Sequence, residues 1–144
     1  MLADTLRKVI SDSYVLYFKA HSYHWNIEGP DFPQYHEFLG EFYEEVFNSI
    51  DTFAELVRTL DQYAPTSLKR LINTSEIVEA DGIPDAMTML NNLKKDNDVF
   101  LTVLVKAYDE AEKASEFGIS NFLQDRFQAH EKHAWMFRAI TKQR

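Results

Sequence analysis

The stretch QYHEFLGEFYEEVFNSIDTFAELVRTLDQ, residues 34–62, carries the pattern that decides the fold. Tyr35, Phe38, Phe42, Val46, Ile50, Phe53, Val57 and Leu60 recur at spacings of three and four, the period of one face of an α-helix. The stretch contains no proline and one glycine, Gly40, so it predicts a single long helix from about Gln34 to Gln62. Working upstream, Leu6, Val9, Ile10, Tyr14, Tyr17, His21 and His24 keep the same period and predict a helix from about Asp4 to Asn26. Glu28-Gly29-Pro30-Asp31-Phe32-Pro33 separates the two as a break, with Gly29 and two prolines as stop signals.

Working downstream, Pro65-Thr66-Ser67 ends the pattern, and Ser67 to Ile72 reads as a short helix inside a long connection. Gly82-Ile83-Pro84-Asp85 opens a third long helix, with Pro84 suited to its first turn. That helix runs to about Ser115 through Met89, Leu93, Phe100, Val103, Leu104 and Ala107, and Gly118 marks the gap before a fourth that continues to Thr141. Two helical hairpins joined by a long crossover make an all-α, ferritin-like four-helix bundle, the crossover carrying the short helix between the second and third long helices. No repeat or linker divides residues 1–144, which read as one domain.

Composition narrows the function. With no cysteine, thiolate nucleophiles, disulfides and zinc–thiolate sites are excluded, which suits a cytoplasmic protein. The N-terminus carries Asp4, Arg7, Lys8 and Asp12, so it is neither a signal peptide nor a membrane span. The formal charge of −8 repels nucleic acid and attracts small cations. The adjacent basic residues are the pairs Arg7-Lys8, Lys69-Arg70 and Lys94-Lys95, with no long basic run, so DNA binding is not expected.

Ionisable residues within the second helix point to a metal. His36, Asp51 and Glu55 lie at roughly 0°, 60° and 100° around the helical wheel, on one side. His36 and Asp51 are nevertheless about 22 Å apart along the axis and cannot share an ion within one chain. Two copies of the helix packed antiparallel about a two-fold axis near Glu44 and Glu45 would bring His36 of one chain opposite Asp51 and Glu55 of the other. His24, at the end of the first helix, joins His36 across the short break. Two imidazoles and two carboxylates suit ferrous iron, manganese or zinc. The chain has no Glu-x-x-His pair, the motif that builds di-iron sites inside ferritin-like bundles, so an iron site must be built another way.

His24-Trp25-Asn26-Ile27-Glu28-Gly29, followed by Phe32, His36 and Asp51-Thr52-Phe53-Ala54-Glu55, resembles the signature of the Dps family, named after the DNA-binding protein from starved cells. His130-Glu131-Lys132-His133-Ala134-Trp135-Met136-Phe137-Arg138-Ala139 is similar to that family's closing helix. The resemblance implies a dodecameric hollow cage with intersubunit ferroxidase sites. His24, His36, Asp51 and Glu55 would be the catalytic iron ligands, in mono-iron or di-iron sites, with zinc as a competitor. Ferrous iron would be oxidised by hydrogen peroxide, or by dioxygen, and stored as ferric mineral, an oxidoreductase activity that limits oxidative stress. Trp25 would be the residue most exposed to stray oxidising equivalents.

Two departures from the family pattern bear on this. Gly40 stands where many members carry an aspartate for a second iron, leaving that position weaker, water-filled or served by Glu41 after a shift. DNA-binding members often have a Lys-rich tail before the first helix, and here the helical pattern begins almost at Met1, so such a tail is not expected. Two alternatives therefore stand beside the ferroxidase: a DNA-protecting nucleoid protein, and a cage whose site is occupied by zinc and inactive.

The remaining polar residues have plainer readings. His21 is expected to pack or hydrogen-bond, and His130 and His133 to form a polar face of the last helix with no evident carboxylate partner. Glu44 and Glu45 would either line the cage interior or form a solvated face. Trp135, Met136 and Phe137 would fill core and interface. Glu116 and Asp125 are candidates for acidic pores.

Overall fold

The computed structural model describes residues 1–143. The chain forms five helices, α1 (Leu2–Asn26), α2 (Phe32–Thr59), α3 (Leu68–Thr74), α4 (Ala86–Lys113) and α5 (Phe117–Thr141), and no strand among the described residues. The hairpins α1–α2 and α4–α5 pack together chiefly through α1 on α4 and more lightly through α2 on α5, while α3 lies against α1. The architecture is the expected ferritin-like bundle.

Helix ends differ from expectation where turn chemistry overrides the punctuation. Helix α2 begins at Phe32 rather than Gln34, because Pro33 sits in its first turn, where a missing N–H leaves no bond unmade, and Asp31 takes the N-cap. The proline starts this helix instead of stopping its predecessor. Pro84 does the reverse: Asp85 is the N-cap of α4, its Oδ1 accepting from Thr88 N at 2.8 Å, so Pro84 lies outside the first turn. Nor is Gly118 the gap between α4 and α5, since it lies inside the first turn of α5. The reversal is made by Ser115, at φ 56°, with Ser115 N donating to Glu112 O at 3.1 Å and Glu116 N to Ala111 O at 2.9 Å. That pair of bonds is the Schellman closure of a helix. Asp61, at φ 59°, closes α2 in the same way, which ends that helix at Thr59 rather than Gln62.

The core lies between the four long helices. Tyr23, Phe42, Phe53, Phe100 and Phe137 are fully buried, and Phe42 and Phe137 meet edge to face at 5.1 Å. Polar clasps hold the crossover to α1. Asp12 Oδ1 accepts from Ser75 Oγ and Glu76 N, each at 2.8 Å, and Lys19 Nζ donates to Val78 O at 2.8 Å. Lys19 also pairs with Asp96 on α4 at 2.8 Å, tying the crossover's anchor to the second hairpin. No helix is long and apolar enough to cross a membrane among the described residues.

Candidate metal centre

His24 and His36 face each other across the turn between α1 and α2, their rings stacked with centroids 3.7 Å apart and 15° between planes. Each imidazole is fixed by the other's backbone. His24 Nδ1 donates to His36 O at 2.6 Å, and His36 Nδ1 donates to His24 O at 2.7 Å. A carbonyl oxygen can only accept, so both rings hold a proton on Nδ1, which leaves Nε2 as the nitrogen that can ligate a metal. An outer hydrogen bond of this kind sets the tautomer and aim of a metal-binding histidine. The local fold supplies it because the last turn of α1 and the first turns of α2 run side by side, joined by the left-handed Gly29 at φ 127°. Phe32 stacks on His36 from the far side, with centroids 4.9 Å apart.

Gly40 has a geometric reason. A Cβ at this position would lie 3.1 Å from His24 Cε1 and 3.4 Å from Nδ1, tighter than ordinary contact. The bare backbone is what lets the His24 ring lie against α2. Glu41 lines a cleft with Phe38, Glu45 and His133.

Asp51 and Glu55 are solvent-exposed on α2 and are not gathered with the two histidines in the one chain. Asp51 borders a cleft shared by Tyr14, Phe47, Ala54, Leu68 and Leu71. Phe47 and Leu68 in that cleft are 46% and 69% exposed, and Phe18 and Trp25, in edge contact further along α1, are 54% and 56% exposed. So much uncovered apolar surface on α1, α2 and the crossover is the mark of an interaction face.

His21 packs and hydrogen-bonds as expected. Its ring stacks on Tyr43 at 3.9 Å and lies 4.0 Å from Trp25, and Nδ1 is 3.1 Å from Tyr17 Oη. Burial, with His24 nearby, pushes its pKa down and favours the neutral ring.

The largest correction concerns the last helix. His130 and His133 are not a polar surface face but are buried at the bundle centre, and a carboxylate does meet them. Glu45 comes from the side of α2 opposite His36 and points at α5. Its Oε1 accepts from His133 Nε2 at 2.8 Å, and the guanidinium of Arg126 forks onto both its oxygens. Arg126 Nη2 also donates to His130 Nε2 at 2.9 Å, while His130 Nδ1 donates to Asn97 Oδ1 at 2.7 Å. Asn97 Nδ2 returns a bond to His130 O at 2.9 Å, which fixes the amide's orientation.

Charge states follow from these contacts. Burial alone would raise the Glu45 pKa, but hydrogen bonds from His133 and Arg126 and their positive charge hold it far below the usual carboxylate range. Burial, reinforced by Arg126 and His133, pushes His130 well below the ordinary histidine value and keeps it neutral. Glu45 is therefore paired rather than free, with its side chain half-buried. Sequence did hold a signal for it: Glu45 follows Phe42 by three and precedes Ser49 by four, both buried, so it belongs to the inward stripe. Trp135 is 57% exposed rather than core-filling, whereas Phe137 is buried. Glu116 caps α5 without a side-chain bond, and Asp125 is exposed.

Comparison with known proteins adds a family to this geometry. Residues 3–144 match the ferritin-like domain of the Ferritin family. The chain is 32% identical over 140 residues to DNA protection during starvation protein 2 of Bacillus anthracis, covering 97% of this chain and 96% of that protein. The crystal structure of a Dps protein from Bacillus brevis superposes with a TM-score of 0.94 at 31% identity, covering 98% and 95% of the two chains. The DPS protein of Vibrio cholerae O1, described as a member of a broad superfamily of ferritin-like diiron-carboxylate proteins, gives 0.93 at 27% identity, covering 98% and 89%.

Proposed function

Since this chain belongs to the Dps family of ferritin-like proteins, we propose that it oxidises ferrous iron with hydrogen peroxide at sites shared between subunits and stores the ferric product in a hollow cage. The observation that carries this reading is the reciprocal clamp of His24 and His36, which leaves each Nε2 available as a ligand, with no carboxylate gathered beside them among the described residues. Asp51 and Glu55 of a second copy, packed antiparallel along α2, would complete it with two oxygens. Phe47 and Leu68, exposed beside Asp51, belong to the face such a partner would cover.

The donors suit ferrous iron as substrate. Neutral imidazoles bind a borderline divalent ion, and two carboxylates add the negative charge that favours its ferric state. Two ferrous ions give up one electron each, the O–O bond of one peroxide breaks, and its two oxygens together with those of two waters form two ferric oxyhydroxide units with release of four protons. Iron and peroxide are consumed together, so neither remains to form hydroxyl radical. With Gly40 lacking a side chain, the site offers strong ligands to one iron, and a second ferrous ion is held mainly by water. Zinc fits the same donors and would compete.

The test is anaerobic ferrous oxidation on adding peroxide, comparing the native chain with Asp51→Asn. Fast oxidation that falls at least tenfold in the variant is expected. Rates equal to buffer in both would sink the ferroxidase and leave a zinc-blocked or structural cage. Assembly is checked separately by solution mass, expected near twelve times 16.9 kDa. A DNA-protecting role takes support from the names of relatives such as the Bacillus anthracis protein. The charge of −8 opposes it. Tight DNA retention at low salt without divalent ions would restore that role.

A further inference from the structure

We propose that the bundle centre is a second, intrasubunit metal site, formed by Glu45, His130 and His133, which the guanidinium of Arg126 occupies as a resident cation. Arg126 is then a specificity-determining residue, closing the middle of the bundle to divalent ions and leaving the subunit interface as their destination.

Three features carry the inference. Glu45, His130 and His133 each offer a ligand atom, and these atoms all lie within 4.8 Å of one another, the one such group of three or more among the described residues. A four-coordinate first-row ion with bonds of about 2.0–2.1 Å needs its donors roughly 3.4 Å apart, so the set has to draw in by about 1 Å. Arg126 Nη2 stands 2.9 Å from Glu45 Oε1 and 2.9 Å from His130 Nε2, so a positive group already sits between two of the three donors.

The second feature is orientation. His130 donates through Nδ1 to Asn97, whose amide is itself held by His130 O, so the Nε2 lone pair is directed at the common centre. This is the outer-shell arrangement of a metal-binding histidine, here spent on an arginine. Third, the cleft lined by Phe38, Glu41, Glu45, His133 and Met136 reaches the cluster from outside and brings the exposed Glu41 to its mouth, a route for a cation.

With Arg126 present, an incoming ion must break a bidentate pair with Glu45 and strand a buried guanidinium, whose Nε has no partner already. A charge left buried without its partner is strongly unfavourable, so the ion loses. Removing the guanidinium reverses the balance. The Glu45 carboxylate then keeps only His133 as partner and the His130 lone pair has none, and a divalent ion satisfies both together with His133 once that ring releases its Nε2 proton.

The test uses cobalt(II) alone as probe, in full-length chains carrying His24→Ala and His36→Ala so that the interface histidines contribute nothing. With Arg126 intact, equilibrium dialysis should find no cobalt held at the bundle centre. Arg126→Gln and Arg126→Met should each gain close to one equivalent per chain, with the intense visible absorption of low-coordinate cobalt. Adding His133→Ala should lower that affinity at least tenfold. If losing the arginine weakens the fold, cobalt should restore it, seen as a rise in unfolding midpoint or as recovery of helical dichroism. Cobalt binding to the arginine-intact chain that is lost on His133→Ala overturns the proposal. So does an arginine variant that neither binds cobalt nor refolds with it. Neither readout depends on iron oxidation, so the ferroxidase reading can fail while this one stands.

Discussion

Each of the two stacked histidines, His24 and His36, is set by the main-chain carbonyl of the other, a mutual arrangement that needs no third residue. Gly40 belongs to it, since any Cβ there would press on the His24 ring. The buried network makes a prediction about acid. His130 faces Arg126, His133, Glu45 and Asn97, and its folded pKa lies well below the 6.5 of a free histidine, first through burial and then through Arg126. Below pH about 6.5 the unfolded chain takes up a proton that the fold refuses, so stability should fall as pH falls, by about 1.4 kcal/mol per unit for one proton. Glu45 adds to the loss at lower pH. Its folded pKa lies below its free value of 4.5, so its contribution is fully present above 4.5 and is lost as pH falls through the folded value. Urea midpoints measured from pH 7 to 5 should drop for the native chain and flatten by about one proton in His130→Gln. An unchanged slope would mean that His130 accepts its proton inside the fold.

At the scale of elements, the helices were legible in residues 34–62 and their neighbours because burial on one face imposes a local period. Their ends were not, because termini depend on backbone conformation rather than on hydrophobic pattern. Pro33 and Pro84 occupy different positions relative to the helices they precede, and only the caps Asp31 and Asp85 distinguish them. Ser115 shows the same limit, holding a left-handed conformation usually left to glycine. Ser115→Gly should therefore relieve strain and stabilise the chain by roughly 0.5–1 kcal/mol, since a left-handed L-residue costs about 1–2 kcal/mol and glycine's own flexibility offsets part of the gain. Thermal unfolding would register this as a small rise in Tm. A fall would show that the Ser115 side chain contributes something its backbone geometry does not reveal.

For the whole molecule, the uncovered surface formed by Phe18, Trp25, Phe47 and Leu68 is the feature that a single subunit leaves unexplained. On the proposed reading it is the two-fold contact that completes the iron site. Phe47→Glu places a charge in that contact, which is destabilising when buried without a partner. The variant should remain helical, shift to lower mass in solution and lose peroxide-driven iron oxidation in step with the lost assembly. A full-sized assembly with native rates would place the contact elsewhere.

By itself the sequence determined what is local and periodic: four long helices in two hairpins, a crossover with a short helix, and the meeting of His24 with His36 across a break of a few residues. These follow because helical spacing and short connections restrict the chain near each residue. Only tertiary structure decided the bundle centre. Glu45 lies 81 positions from Arg126 and 88 from His133, and they meet because α2 packs on α5 with one face turned inward. Helical period tells which residues face inward but not what they face, so a half-buried carboxylate, two buried histidines and an arginine become one network only when the helices are in place.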